Sequence, residues 1–183
     1  KVKTSESDYS SFTVDNTYTR MESSWGAGFT NTNTANNNHV IVVSGNHCTV
    51  TGLRTYTAGG ATSASDRRGF NITGQYNFVI NCMVEDSDGS GFAAQGAYNT
   101  FQNCLVEDVD DYGFYINSTR ASIIGCRFMA SGSGPIHFEA VADYCLMVGN
   151  AIEDTGNGGA VSYTPPTLQT KALGLMSCSI VSW

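Results

Sequence analysis

Two sets of side chains have the types and spacing to do chemistry. The first is acidic. Glu85, Glu107 and Glu153 each follow a Val or Ile and precede an Asp, as V-E-D, V-E-D and I-E-D. Asp86, Asp108 and Asp154 come next, with Asp88 and Asp110 beyond. If these glutamates share an outward strand position on neighbouring turns of the chain, their carboxyls lie a few ångströms apart. Two carboxyls about 5–5.5 Å apart support retaining glycoside cleavage, and wider pairs the inverting route. Crowding raises the pKa of one member, as a general acid requires. The same crowding could hold Ca²⁺ through oxygen ligands. The competing reading is a solvated strand end leading into a Gly/Asp turn. Glu85, Glu107, Asp108 and Asp110 are the catalytic candidates here. Ca²⁺ is the one cofactor considered, and no residue is assigned as a metal ligand.

The second set is Tyr115, His137 and Glu139. Tyr and His can act as proton donor and acceptor in polysaccharide elimination, with amides neutralising a uronate. Tyr115 with Asn71, Gln95 and Asn117 is equally a sugar-binding face, an aromatic platform flanked by amide hydrogen bonds. The competing reading is ordinary exposed polar packing. His39 and His47 read as structural histidines. Arg67 and Arg68 read as solvent-exposed loop residues.

Both sets depend on one repeat to bring them together. From Gly69 to Gly134 the chain falls into three gapless rows of 22: GFNITGQYNFVINCMVEDSDGS, GFAAQGAYNTFQNCLVEDVDDY and GFYINSTRASIIGCRFMASGSG. A fixed short period marks a repeat architecture. Within a row the apolar residues alternate with a period of two, a strand signal. Three short strands fit, at 69–73, 77–80 and 82–86 in the first row. Asn81, Asn103 and Gly125 stand alone between the second and third. Asn and Gly tolerate a left-handed backbone, so each marks a sharp bend rather than a hairpin. The predicted fold is all-β, a parallel solenoid of about 22 residues per coil with coils stacked at roughly 4.8 Å. Phe70, Phe92, Phe114 and Ile136 should form one inward ladder, and Val84, Val106, Phe128 and Ile152 another. An antiparallel sandwich would have to produce the gapless rows by accident.

Residues 1–38 are rich in Ser, Thr and Asn, and read as an irregular N-terminal coil and loop, with TNTNTANNN at 30–38 as loop. Regular coiling is expected over 39–183. His39 onward aligns with the first row at an offset of 29, the extra seven residues falling in a surface loop at ATSASDRR. PIHFEAVADYCLMVGN continues at an offset of 24 with Gly149 at the bend, and a loop with Pro165 and Pro166 follows. The sequence stops at Trp183 within a coil, and a solenoid end needs a cap. A fragment of a longer protein, or one capped by partner chains, is the expectation.

The net charge of −7 argues against binding nucleic acid through phosphates. No stretch approaches the ~18 apolar residues of a membrane span, so no membrane insertion is expected. No basic–apolar signal segment opens the sequence, so export by that route is not expected. Reduced thiols would suit synthesis in a cytoplasm. The six cysteines do not read as a disulfide framework. Cys82, Cys104, Cys126 and Cys178 take one inward position on stacked coils, where side chains run parallel instead of converging as a disulfide needs.

A coil of about 22 residues with Asn81, Asn103, Gly125 and Gly149 at its bend resembles the right-handed single-stranded parallel β-helix of the pectate-lyase-like superfamily. The G-F-x-I-type strand starts look most like the β-helix region of bacteriophage tailspikes and capsule depolymerases. The likeness covers 39–183. It implies a homotrimer on a virion tail, or otherwise extracellular, whose partner is bacterial cell-surface polysaccharide, often cleaved by glycoside hydrolysis or by elimination. The calcium-binding acid cluster and catalytic Arg of pectate lyases have no match here. A non-catalytic structural or adhesin stalk, and a cellular polysaccharide lyase or epimerase, are the alternatives.

Overall fold

The computed structural model describes residues 12–23, 28–30, 39–56 and 67–153, and the backbone alone of 162–163 and 177–181. The expected loop over 31–38, the inserted segment 61–66, Asp154, the Pro165–Pro166 loop and the side chain of Cys178 lie outside the described residues.

The chain winds through repeated coils of short strands. The first coil holds β1 (Phe12–Val14), β2 (Arg20–Glu22) and β3 (Gly28–Thr30). The second holds β4 (Ile41–Val43), β5 (Thr49–Thr51) and β6 (Arg54–Tyr56). The three gapless rows supply β7 (Phe70–Ile72), β8 (Phe78–Ile80), β9 (Met83–Ser87), β10 (Phe92–Ala94), β11 (Thr100–Gln102), β12 (Leu105–Val109), β13 (Tyr112–Ile116), β14 (Ser122–Ile124) and β15 (Arg127–Ser131). The sixth coil has β16 (Gly134–Phe138) and a long β17 (Leu146–Glu153), and β18 (Ser162–Tyr163) and β19 (Ser177–Val181) stack on it.

These strands make three faces, all with parallel pairing. The first face is the sheet β1-β4-β7-β10-β13-β16-β18. The second runs from β2 through β5, β8, β11 and β14 to the first half of β17. The third runs from β3 through β6, β9, β12 and β15 to the second half of β17. Because β17 continues unbroken through the bend at Gly149, the second and third faces join as one sheet.

The predicted columns are physical ladders. Phe92 pairs with Phe70 below and Phe114 above, and Phe114 pairs with Ile136. The three rings stack with centroids 4.9 and 4.8 Å apart, close to the strand spacing itself. Val84, Val106, Phe128 and Ile152 pair in the same way on the third face. All eight are buried. The bends are left-handed as expected: φ is 73° at Gly52, 52° at Asn81 and Asn103, 61° at Gly125 and 63° at Gly149.

Four readings need correction. First, the segment before His39 is not irregular where it is described. Strands β1, β2 and β3 pair in parallel with β4, β5 and β6, so stacking already holds from Phe12. Second, the third strand runs past the acidic pair rather than ending at it. Asp86 and Asp108 each take φ of 51° inside β9 and β12, and Asp is among the few residues that tolerate this. The kink inserts one extra outward residue and turns Ser87 and Val109 back into the core, the effect of a bulge.

Third, Arg67 and Arg68 are not exposed: they are 1% and 9% accessible. They lead directly into β7, and the next coil closes over them. Arg67 forms an ion pair with Asp88 one coil on. A Cβ on Gly89 would stand 1.8 Å from the Arg67 carbonyl oxygen, so only glycine lets that coil approach. Burial raises the Asp88 carboxyl above its ordinary range, outweighing the opposite pull of Arg67.

Fourth, buried polar ladders were overlooked. Asn77 and Asn99 are fully buried at the turn between the first and second faces. Asn99 Oδ1 accepts from the Asn77 amide at 2.8 Å, and Asn77 Oδ1 from the Cys48 amide at 2.7 Å. Asn99 Nδ2 donates to the Gly74 and Gly96 carbonyls at 2.9 and 2.7 Å. Each side chain satisfies backbone groups that the turn would otherwise strand.

The cysteine reading holds. Cys48, Cys82, Cys104, Cys126 and Cys145 are buried thiols outside any disulfide. Burial pushes the Cys82 thiol up to about 11 and the Cys104 thiol well above its ordinary range, so they pack as small apolar groups.

Candidate functional site

The structure separates the two chemical sets onto different faces. On the third face Glu85 and Glu107 are register neighbours, but Met129 stands between Glu107 and Glu153. Arg54 forms an ion pair with Glu85. Arg127 grips Glu153 with two bonds, Nε at 3.0 Å and Nη2 at 2.5 Å. Two of the three glutamates, Glu85 and Glu153, are therefore held by guanidiniums, while Glu107 lies beside Glu85. Asp108 and Asp110 are exposed on the coil edge. Among the described residues no group of three His, Cys, Asp or Glu comes together as metal ligands.

The first face assembles a tighter cluster. Asn71, Ala93, Tyr115 and His137 are in direct register on β7, β10, β13 and β16. Gln95, Asn117 and Glu139 follow in step, their amides donating to Ile72, Ala94 and Ile116 of the coil below. Gln95 is exposed and Asn117 half-buried. The Tyr115 hydroxyl donates to Glu139 Oε1 at 2.8 Å. His137 Nε2 lies 3.4 Å from the same oxygen. The His137 ring stacks on Tyr112 at 4.5 Å and lies 5.7 Å from Tyr115. Asn71, expected on the open surface, and its register neighbour Ala93 are buried at 6% and 0%. They are covered because Arg68 reaches across: its Nη1 donates to Asn71 Oδ1 at 3.2 Å, and its guanidinium sits 5.1 Å over the Tyr115 ring.

Arg68 and Tyr112 were missed by sequence reasoning, although the signal was present. Counted in rows of 22, Arg68, Ser90, Tyr112 and Gly134 occupy one position, just before the Gly69–Gly91–Gly113 column. Tyr112 pairs with Gly134 in the structure. That position opens β13 and β16 and lies just before β7 and β10, and so borders the same face.

The electrostatics divide the roles. Burial and the Glu139 carboxylate push the Tyr115 hydroxyl up to about 12, so Tyr115 keeps its proton. The bond from Tyr115 lowers the Glu139 carboxyl below its ordinary range, and His137 adds to this, so Glu139 stays ionised. The signs follow from linkage. The Tyr115 contribution to stability is complete below the ordinary phenol range and is lost as pH rises through about 12. The Glu139 contribution is present above the ordinary carboxylate range and is lost as pH falls through its lowered value. In Tyr115→Phe the Glu139 carboxyl should therefore titrate higher than in the parent, as read by NMR of the side-chain carboxyl carbon. An unchanged Glu139 titration would remove the bond from the account.

The right-handed beta helix region family matches residues 68–169, more than half of the chain. The chain belongs to this family. No curated protein and no solved structure matches it. Right-handed beta helices occur both in polysaccharide-acting enzymes and in structural proteins. No helix among the described residues is long and apolar enough to cross a membrane.

Proposed function

We propose that this β-helix binds bacterial cell-surface polysaccharide along its first face and cleaves it there by elimination at an acidic sugar, as part of a phage tailspike. The observation that carries the reading is the shared Glu139 oxygen, 2.8 Å from the Tyr115 hydroxyl and 3.4 Å from His137 Nε2. One carboxylate flanked by Tyr and His suits proton transfer better than two-carboxylate hydrolysis, which needs a second carboxyl at a set distance. In elimination, His137 takes the proton α to the sugar carboxylate. The glycosidic C–O bond breaks as the C=C bond forms, and the leaving oxygen takes the Tyr115 proton. Glu139, held ionised, steadies the imidazolium that forms and orients both partners. Arg68 places positive charge beside Asn71, where the substrate carboxylate must be neutralised. The tailspike setting rests on the likeness of the coil pattern.

Incubation with a panel of capsular and O-antigen polysaccharides tests this. The expected result is unsaturated product ends from at least one acidic glycan, at the same rate in Glu107→Gln. New reducing ends without unsaturation would replace elimination by hydrolysis. Neither products nor binding would reject the proposal. The ion pairs of Glu85 and Glu153 favour a second reading, a non-catalytic stalk or adhesin segment, which predicts that His137→Ala leaves host attachment intact.

A further inference from the structure

The first face has a notch in it, one coil deep. Asn71, Ala93, Tyr115 and His137 stand in one outward column, and Arg68, Ser90 and Tyr112 in the column that borders it. The coil of β10 thus offers only Ser90 and Ala93 where its neighbours offer larger side chains. Ala93 points outward, between the inward Phe92 and Ala94, yet none of its surface is accessible. Ser90 is 1% accessible, its hydroxyl turned to Asp111 Oδ2 at 2.8 Å. Arg68 is what covers them. Its Nη1 bonds Asn71 Oδ1 on the coil of β7 at 3.2 Å, and its guanidinium reaches the Tyr115 ring, two coils on, at 5.1 Å. Strands β7 and β13 stand two spacings apart, roughly 9.6 Å. A flat group that touches both of their outward side chains fills the space between them.

This filling has a consequence for any sugar on the first face. The Tyr115 ring meets His137 from the coil above at 5.7 Å and Arg68 from below. A sugar ring that stacks on Tyr115 must therefore take the place of the guanidinium. The contacts that hold Arg68 there are replaceable. Its bond to Asn71 goes to a neutral amide oxygen, at the long end of the hydrogen-bond range. A carboxylate offers a guanidinium two parallel charge-assisted bonds, each about twice as strong as a neutral one. A sugar hydroxyl offers it nothing that Asn71 does not already supply.

We propose that Arg68 sets the selectivity of the first face by occupying its subsite: it fills the notch over Ser90 and Ala93 and yields it only to a sugar that carries a carboxylate. The acidic sugar draws the guanidinium out of the notch and pairs with it, and its ring takes the vacated place beside Tyr115. A neutral sugar cannot repay the contacts that Arg68 gives up, so it is excluded by the protein's own side chain, as specificity by an opposing element requires. The nature of the ligand rests on the glycan reading above; the notch and its occupant do not. Arg68 is thus a specificity-determining residue in addition to a source of positive charge.

NMR titration of the chain and of Arg68→Ala with methyl glucuronoside and with methyl glucoside tests it, since the two sugars differ only in the carboxylate. The parent should bind the acid about 10-fold or more tighter than the neutral sugar, the margin of a charged over a neutral hydrogen bond. The Asn71 side-chain amide and Tyr115 ring signals should shift as the guanidinium leaves. Arg68→Ala should lose the preference and bind the neutral sugar more tightly than the parent does. Arg68→Met keeps the length without the charge, so it should lose the preference without that gain; it carries the test if circular dichroism shows Arg68→Ala unfolded. Methylguanidinium should bind Arg68→Ala but not the parent and shift the same two residues, an arm that needs no sugar. Neutral-sugar binding no tighter in Arg68→Ala than in the parent, an acid preference kept in Arg68→Met, or no binding of methylguanidinium to Arg68→Ala would overturn the proposal. The expected selectivity without unsaturated products from any glycan would leave Arg68 in this role and remove elimination. Unsaturated products with unchanged neutral-sugar binding in Arg68→Ala would do the reverse.

Discussion

Phe92→Ala is expected to cost about 3–5 kcal/mol of unfolding free energy, the usual range for removing a large buried ring. Phe92 is fully buried in the middle of the first-face ladder. Its ring stacks at 4.9 Å on Phe70 and 4.8 Å on Phe114, with Phe101 edge-on at 5.8 Å. The cost should lie in the upper part of the range because the site cannot collapse. The heights of Phe70 and Phe114 are set by backbone pairing of β7, β10 and β13, not by the side chains. Truncation therefore leaves a void that neither neighbour can move to fill. In a solenoid each coil is stabilised mainly by the next. The loss should accordingly appear as reduced amide-exchange protection in β7 and β13 as well as in β10. Chemical denaturation measures the total, and a loss below about 1 kcal/mol would mean that the ladder relaxes and the argument from fixed height is wrong.

The fold was readable because its cause is periodic. Parallel pairing puts residue i beside residue i+22, so a column in the sequence is a column in space, as for Phe70, Phe92 and Phe114. The bends were readable for a related reason. A left-handed residue restricts the choice of amino acid, and Asn81, Asn103 and Gly125 show that restriction directly. The same rule is silent in the turn between the first and second faces, where Tyr76 and Tyr98 take the same conformation with residue types that do not advertise it. The buried asparagines were missed because Asn77 and Asn99 are polar, and polarity in sequence reads as exposure. Only the unpaired amides of a buried turn reveal why they are inside.

The site was half readable. Register alone placed Tyr115 beside His137, and Glu139 two residues further on the same face. What register cannot give is the reach of long side chains between coils. Arg54 and Arg127 cross to Glu85 and Glu153, turning an apparent acidic cluster into ion pairs. Arg68 crosses to Asn71 and Tyr115, turning an apparently open surface into a covered one. Arginine is long and flexible, so the 22-residue register fixes where Arg68 begins, but its partners emerge only from packing.

If the first face performs elimination, His137→Ala should lower kcat by about 10²–10⁴-fold, the range for losing a positioned base. Loss of folding could mimic that result, since His137 stacks on Tyr112 at 4.5 Å. Added imidazole separates the two explanations. A missing base can be replaced in part by a diffusing one, whereas a collapsed strand cannot. Glu139→Gln should also lose activity, but imidazole should not restore it, because the carboxylate is what is absent. Its amide can still accept the Tyr115 hydroxyl bond but cannot balance an imidazolium at 3.4 Å. Tyr115→Phe should hurt sugars with poor leaving groups most, because only they need the proton that a hydroxyl held up near pKa about 12 retains. Equal loss across all leaving groups, together with no rescue of His137→Ala, would reduce Tyr115, His137 and Glu139 to a packed polar patch.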